Sequence, residues 1–465
     1  MKTETIAAIA TSLSESGISI IRISGTEAIT IADKIFYSES GKKVSGFKSH
    51  TLHYGFIKEK EEIIDEVILS VMKAPKSYTT EDVVEINCHG GVLMTKKILE
   101  IVLKNGARLA MPGEFTKRAF LNGRIDLSKA EAIMDVIQAD NEFALKMGMK
   151  QLKGSVSNKI KELRENILYE IAFIESALDD PEHISLDGYA EKLHSKTESI
   201  LSELKKLEQS ADNGKILKEG INTVIVGKPN AGKSSLLNVL VGEEKAIVTD
   251  IAGTTRDALE ENIKIGDISF HIIDTAGIRF TKDEVEKIGV NKAKQFAKDA
   301  DFVLYIIDSS VILDENDEEI MKLTSGKKII VLFNKSDLES VLQPELVKEK
   351  IISFGHKEED IRFIKISAKN NDGMDILEHT VKDMFFHGEI EIKDEVMITN
   401  MRQKEAIMES IDSLSYVIQS IKDEMPEDFL TIDLMNAYES LGKIIGEEIG
   451  EDLVNEIFSK FCTGK

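Results

Sequence analysis

The sequence predicts a multidomain α/β protein. An N-terminal α+β domain is followed by a central helical bundle, and a domain with a mostly parallel sheet is inserted into that bundle. Three observations carry this. Short β-branched runs alternate with Gly-rich turns up to about residue 120. Apolar residues then recur at helical spacing from Ser128 to about Glu208. From Thr223 to about Phe386 strands alternate with helices, and the chain then returns to helix through to Lys465. The boundaries drawn on this basis are 1–120, 121–215, 216–386 and 387–465.

In the first segment Ile18–Ile23, Val67–Met72 and Val83–Ile86 read as strands and Thr95–Lys104 as a helix. Ala130, Ile133, Met134, Ile137 and Leu145 open the helical pattern, and Ile160, Leu163, Ile167 and Ile171 continue it. The Asp180–Pro181 step breaks the run, because Pro disfavours helix in the residue before it. In the third segment the strands are Thr223–Val226, Ile268–Ile273, Phe302–Ile307, Ile329–Phe333 and Phe363–Ile366. These apolar runs suit strands buried on both faces of a parallel sheet. The strandless tail after Phe386 is short for a domain, so it is expected to pack on the 128–210 helices.

The chain has 465 residues, 42 % of them hydrophobic, enough to bury several cores. A formal charge of −23 argues against a protein that coats nucleic acid or anionic lipid through bulk charge. Two distant cysteines exclude a disulfide scaffold and a thiolate zinc ribbon, and they fit a reducing compartment. The start lacks a secretory pattern, and no apolar run approaches the ~18 residues needed to span a bilayer. A cytoplasmic protein with no membrane association is expected, ahead of an organelle-matrix protein.

Gly227-Lys228-Pro229-Asn230-Ala231-Gly232-Lys233-Ser234 follows one of these strands and opens a helix at Ser235–Leu240, the context that makes a phosphate-binding loop credible. Backbone N–H groups of Asn230, Ala231, Gly232 and the following residues would face the phosphates. Lys233 would reach the β and γ phosphates, Ser234 would ligate Mg²⁺, and Ser235 lies beside it. Four elements follow in GTPase order. Gly253-Thr254-Thr255-Arg256-Asp257 supplies a switch hydroxyl, Thr255, as a second Mg²⁺ ligand, within a nucleotide-contacting stretch that includes Thr249, Asp250, Ile251 and Ala252. In Asp274-Thr275-Ala276-Gly277, Asp274 would hold the metal through water and Gly277 would sense the γ-phosphate. In Asn334-Lys335-Ser336-Asp337, the Asp337 carboxylate accepts the N1 and N2 hydrogens of guanine, a pattern that adenine cannot offer. Ser367-Ala368-Lys369 closes the base pocket. Five such elements in order point to a GTPase.

Ras-like enzymes place Gln after Asp-x-x-Gly to orient water, whereas here Ile278 stands there. Another water-positioner is needed. Glu286 lies nearby in Asp283-Glu284-Val285-Glu286-Lys287, where it is also readable as one more solvated carboxylate.

Motifs outside this core carry a resemblance. Glu85-Ile86-Asn87-Cys88-His89-Gly90-Gly91, the block from Pro112-Gly113-Glu114-Phe115-Thr116-Lys117-Arg118 through Arg124-Ile125-Asp126-Leu127, and the terminal Phe461-Cys462-Thr463-Gly464-Lys465 are similar to the MnmE (TrmE) family of tRNA modification GTPases over essentially the full length. The resemblance implies an N-terminal domain that dimerises and binds 5-formyltetrahydrofolate or methylene-tetrahydrofolate through Arg22, Glu85, Arg124 and Lys465. Two cations would suit the glutamate carboxylates of folate, and a carboxylate the pterin amide edge. It implies K⁺ bound by Asn230, Thr249, Ile251 and Thr254, supplying the charge that an arginine finger supplies elsewhere. It implies Glu286 as the water-activating group, beside Lys233 and Asn230 in catalysis, and a chemical role for the tail thiol of Cys462.

The reaction implied is addition of a carboxymethylaminomethyl or aminomethyl group to C5 of the wobble uridine of certain tRNAs, with GTP hydrolysis driving conformational change. The partners implied are a second copy of the chain, the FAD protein MnmG (GidA) in a heterotetramer, and tRNA. Thr463 departs from the aliphatic residue common at its position, and Asp179-Asp180-Pro181-Glu182 lacks an aromatic before its Pro.

A regulatory GTP switch without a modification role would use the same nucleotide site, but it needs neither the 112–127 block nor the terminal motif. A ribosome-assembly GTPase would favour a basic appendage, which is not apparent. A Cys88–His89 nucleophile lacks a nameable third group and yields to a strand-end turn before Gly90. Residues 387–465 hold 18 acidic and 7 basic side chains, whereas 96–153 hold 11 basic and 7 acidic, so tRNA is expected to meet a local basic patch or the partner.

Overall fold

The computed structural model describes residues 4–139, 141–242, 261–265, 268–272, 300–386, 396–447, 449–462 and 464. It divides into two compact units, one of 1–137, 148–201 and 406–465, the other of 138–147 and 202–405.

In the first unit, strands β1 (Ile6–Ile9), β2 (Ser16–Ser24), β3 (Phe36–Tyr37), β4 (Thr51–Glu59), β5 (Glu62–Met72), β6 (Val83–Gly90) and β7 (Arg108–Leu109) form a seven-stranded sheet. Its order is β3-β4-β5-β6-β2-β1-β7. The sequence reading lacked β4 and the two-residue strands β3 and β7; β4 alternates apolar with polar residues around Gly55 and hides in a weak pattern. Period-2 alternation puts Ile21, Ile23, Leu69, Val71, Val84 and Ile86 on one face. There they pack against Ile31 and Ile35 of helix α1 (Ala28–Ile35) and Ile98 and Val102 of α2 (Val92–Lys104). The opposite face carries Arg22, paired in register with Glu85.

Helix α3 (Glu114–Leu121) is tied down by charge. Burial alone would raise the Glu114 carboxyl, but Arg108, the Met111 N–H and Arg118 outweigh it and bring its pKa down to about 2. Arg118, itself buried, also donates to both oxygens of Glu81 at 3.0 and 3.1 Å. A carboxylate with a depressed native pKa contributes stability above its unfolded value near 4.5, and loses it as pH falls toward 2. Glu114→Gln is expected to cost roughly 2–3 kcal/mol at pH 7. The difference should shrink between pH 4.5 and 2; thermal unfolding with an equal deficit at both ends of that range would contradict the linkage.

The helical part begins with α4 (Leu127–Gln138) and α5 (Glu142–Leu152), and continues through α6 (Ser155–Asp179), which ends before Pro181, and α7 (Tyr189–Glu219). Ile160, Leu163, Ile167, Ile171 and Ile174 give α6 a buried stripe.

In the second unit, β8 (Ile221–Val226) is followed by helix α8 (Lys233–Gly242) and then by β9 (Glu261–Ile265), β10 (Ile268–Ile272) and β11 (Phe302–Asp308). Helix α9 (Glu315–Leu323), β12 (Lys328–Asn334), α10 (Pro344–Ser353), β13 (Ile361–Lys365) and α11 (Met374–Phe386) complete it. The sheet order is β13-β12-β11-β8-β10-β9. All its pairs are parallel except β9–β10. Both faces are covered, by one cluster around Phe270, Leu304 and Leu332 and another around Val303, Tyr305 and Val331. The sequence reading lacked β9, a five-residue antiparallel edge strand in which Ile263 and Ile265 are buried.

After this unit the chain rejoins the first through α12 (Met401–Lys422), α13 (Glu427–Ile445) and α14 (Glu451–Ser459). Leu430, Leu434, Ala437, Leu441 and Ile444 of α13 are buried, and this helix packs along α6. Phe458 of α14 meets Phe120 with ring centroids 6.0 Å apart.

Candidate functional site

The nucleotide-type loop occupies the turn between β8 and α8, at the C-terminal ends of the parallel strands where open α/β sheets place ligands. Gly232 has φ +106, and a Cβ there would lie 2.0 Å from Asn334 Nδ2. Only a glycine lets the loop pass this close. Asn334, buried at the end of β12, donates from Nδ2 to the Ala231 carbonyl at 2.8 Å and accepts at Oδ1 from the Ala368 N–H at 3.0 Å. One amide thereby binds the phosphate loop to both base-recognition segments. Ser367 Oγ donates to Asp337 Oδ1 at 2.8 Å and fixes that carboxylate. Lys335 Nζ reaches Asp308 Oδ2 at 2.5 Å.

Lys233 Nζ donates to the Gly227 and Lys228 carbonyls at 2.6 and 2.8 Å, and burial pushes its pKa down. Among the described residues the Lys233 ammonium meets only these carbonyls, and a cation in a desolvated loop suits an anionic ligand. Ser234 and Ser235 stand exposed in the first turn of α8, where N–H groups and the helix dipole favour phosphate. The donor set therefore fits a nucleoside triphosphate, with Ser234 available to an oxygen-preferring cation. Lys369 is exposed beside Ala368, and Asn230 takes a left-handed φ of 65° at the loop tip. Thr249, Asp250, Ile251, Ala252, Gly253, Thr254, Thr255, Asp274, Thr275, Ala276, Gly277 and Glu286 lie outside the described residues.

A second site lies in the other unit. A cavity of about 630 Å³ is lined by Arg22, Glu85 and Arg124, together with His50, Lys76 and Tyr78. Arg22 Nε donates to Glu85 Oε1 at 2.8 Å. These two candidates therefore form an ion pair across β2 and β6, so a ligand meets a pre-set donor and acceptor rather than separate charges. Arg22 Nη1 also donates to the Gly464 carbonyl at 3.3 Å, which brings the C-terminal tail to the cavity. Gly464 has φ +101, and a Cβ there would sit 2.2 Å from the Ile9 carbonyl oxygen. Cys462 is exposed and its carbonyl accepts from the Gly113 N–H at 3.3 Å. Lys465 lies outside the described residues. Sequence reasoning missed His50, Lys76 and Tyr78; the signal available was Pro75-Lys76-Ser77-Tyr78, an aromatic and a cation in a connection between two strands.

The Cys88–His89 pair is corrected in its details. The two residues lie within β6, not in a turn, so their side chains leave opposite faces. Cys88 is buried, and burial, then the Asp65 charge, raises its thiol to about 11. A third group does exist for His89, since Asp65 Oδ1 lies 2.6 Å from Nδ1, yet the thiol is out of reach of that ring.

Two family models match: "MnmE helical domain" over residues 127–462 and "GTP-binding protein TrmE N-terminus" over residues 5–124. The chain is 57 % identical over 466 residues to a tRNA modification GTPase MnmE of Lachnoclostridium phytofermentans, covering 100 % of both. It is 48 % identical to the protein of that name from Clostridioides difficile, covering 99 % of each. For the one from Alkaliphilus metalliredigens the identity is 46 %, again over 99 % of each.

Proposed function

Because the chain belongs to the MnmE family of tRNA modification GTPases, we propose that it couples GTP hydrolysis to one-carbon chemistry at C5 of the wobble uridine of certain tRNAs. It is a GTP hydrolase acting in tRNA modification. The observation that carries the reading is the Asn334 bridge, which ties the phosphate loop to Ala368, beside Ser367, whose hydroxyl holds Asp337.

Within that site Lys233 neutralises developing phosphate charge, and Ser234 and Thr255 hold Mg²⁺. Asn230, Thr249, Ile251 and Thr254 bind K⁺, which supplies positive charge near the phosphates, and Glu286 orients the attacking water. In the first unit the Arg22–Glu85 pair and Arg124, together with Lys465, hold a 5-formyl- or methylene-tetrahydrofolate. The donor set fits: guanidiniums for carboxylates, a carboxylate for the amide edge of a pterin. Cys462 stands exposed two residues before Gly464, whose carbonyl meets Arg22, and its thiol takes a chemical role in the modification carried out with the FAD partner MnmG.

A homodimer is favoured by the outer face of the first sheet, where Leu52, Tyr54 and Ile68 are 70, 52 and 46 % exposed on adjacent β4 and β5. Among the described residues no helix is long and apolar enough to cross a membrane.

The reading is tested by nucleoside analysis of tRNA from cells lacking this protein. Loss of the C5-modified wobble uridine, restored by the gene, is the expected result; unchanged nucleosides would leave only the switch reading. The K⁺ site makes a separate prediction. Replacing K⁺ by Na⁺ at constant ionic strength should slow GTP hydrolysis on the order of tenfold or more, and equal rates would remove K⁺ from the site.

A further inference from the structure

The cavity of the first unit holds an aromatic residue that the folate reading does not use. Tyr78 sits in the 73–82 connection between β5 and β6. The Arg22 guanidinium carbon lies 5.4 Å from the centre of its ring, and that of Arg124 lies 5.0 Å from the same ring. Arg124 Nη1 donates to the Tyr78 carbonyl at 2.7 Å. The ring is itself anchored, because its hydroxyl lies 2.8 Å from Thr116 Oγ1 on α3. It also packs on the apolar cluster of Ile6, Ala8, Ala110 and Phe115.

We infer that Tyr78 is a positioning residue for this cavity: its ring and carbonyl hold Arg22 and Arg124 together so that both guanidiniums address one anionic group of the ligand.

The two arginines need this for different reasons. Arg22 leaves the middle of a strand and is held at Nε by Glu85 at 2.8 Å and at Nη1 by the Gly464 carbonyl at 3.3 Å, the second a long bond that fixes the plane of the guanidinium only weakly. Stacking on Tyr78, and on Phe115 at 5.6 Å, fixes it, because a guanidinium is planar and weakly hydrated. Arg124 is exposed and follows Gly123, whose φ is +72, just beyond the end of α3. A long side chain there would sample many rotamers, and Tyr78 draws it inward through both ring and carbonyl. Two like charges gathered on one ring repel each other, and that repulsion is relieved when a carboxylate arrives. The clamp therefore selects ligands with an anionic end.

The inference rests on the folate reading of the cavity, and the experiment separates the two. The full chain is titrated with 5-formyltetrahydrofolate and with 6-methyltetrahydropterin, which lacks the benzoylglutamate. Wild type, Tyr78→Phe and Tyr78→Leu are compared. Tyr78→Phe keeps the ring and should bind 5-formyltetrahydrofolate within about twofold of wild type, whereas Tyr78→Leu should weaken it about tenfold. The pterin fragment should bind both variants like wild type. A Tyr78→Leu variant that binds 5-formyltetrahydrofolate normally, or loses the pterin fragment equally, overturns the clamp.

If wild type binds neither compound, the folate reading fails and the clamp is judged directly. The Arg22 Nε–H resonance, assigned through Arg22→Lys, should carry an upfield ring-current shift in wild type and Tyr78→Phe. That shift should be lost in Tyr78→Leu; an unmoved resonance overturns the proposal.

Discussion

Asp337→Asn is expected to lower GTP affinity by roughly 10³-fold and to turn preference toward xanthosine triphosphate. Guanine presents hydrogens at N1 and N2, both of which a carboxylate accepts. Xanthine keeps the N1 hydrogen but carries oxygen at C2, so it suits a side chain that accepts at one atom and donates at the other. The exchange should leave the rest of the pocket in place. Ser367 Oγ donates to Asp337 Oδ1 at 2.8 Å, and an asparagine carbonyl oxygen accepts the same bond. Asn334, which carries the bridge to the phosphate loop, is untouched. Competition binding of the two triphosphates measures the effect, and an unchanged ratio would show that Asp337 does not read the base.

Removing the last four residues should lower tRNA modification on the order of 100-fold while GTP hydrolysis stays within about twofold. The truncation ends at Phe461, which is buried beside Phe458, so the helical core keeps its packing. What disappears is the exposed thiol of Cys462, the Gly464 carbonyl that accepts from Arg22, and Lys465. Gly464→Ala is the finer variant, since a Cβ would meet the Ile9 carbonyl oxygen at 2.2 Å and displace the tail without deleting it. Intact modified uridine in a deletion strain carrying the truncated gene would refute a role for the tail.

The nucleotide site was legible because its chemistry is local. A phosphate loop is one strand, one turn and one helix start, and Lys233, Asn334 and Asp337 could be assigned from neighbours within a few residues. The cavity of the first unit was legible only through resemblance. Arg22 and Glu85 are 63 positions apart and meet because β2 and β6 pair in register, which no periodicity announces. Tyr78 was invisible for the same reason: its meaning lies in the two guanidiniums on its ring, and they come from a strand and from the end of a helix. The edge strand β9 escaped because its five residues, Glu-Asn-Ile-Lys-Ile, carry two apolar positions, too short a pattern to stand out from a polar connection. The switch elements around Thr255 and Glu286 lie outside the described residues, so their chemistry stands on the sequence alone.

The burial of Cys88 has a practical consequence. With its thiol raised to about 11 and enclosed beneath the sheet, this cysteine has almost no thiolate at neutral pH. The only other cysteine in the chain is Cys462, which is exposed. The unaltered protein is thus suited to site-selective labelling: a maleimide dye or nitroxide added near pH 7 should attach at one place, on the segment that reaches the cavity. Whether the tail changes its surroundings during GTP turnover can then be read in real time without introducing or removing a single cysteine.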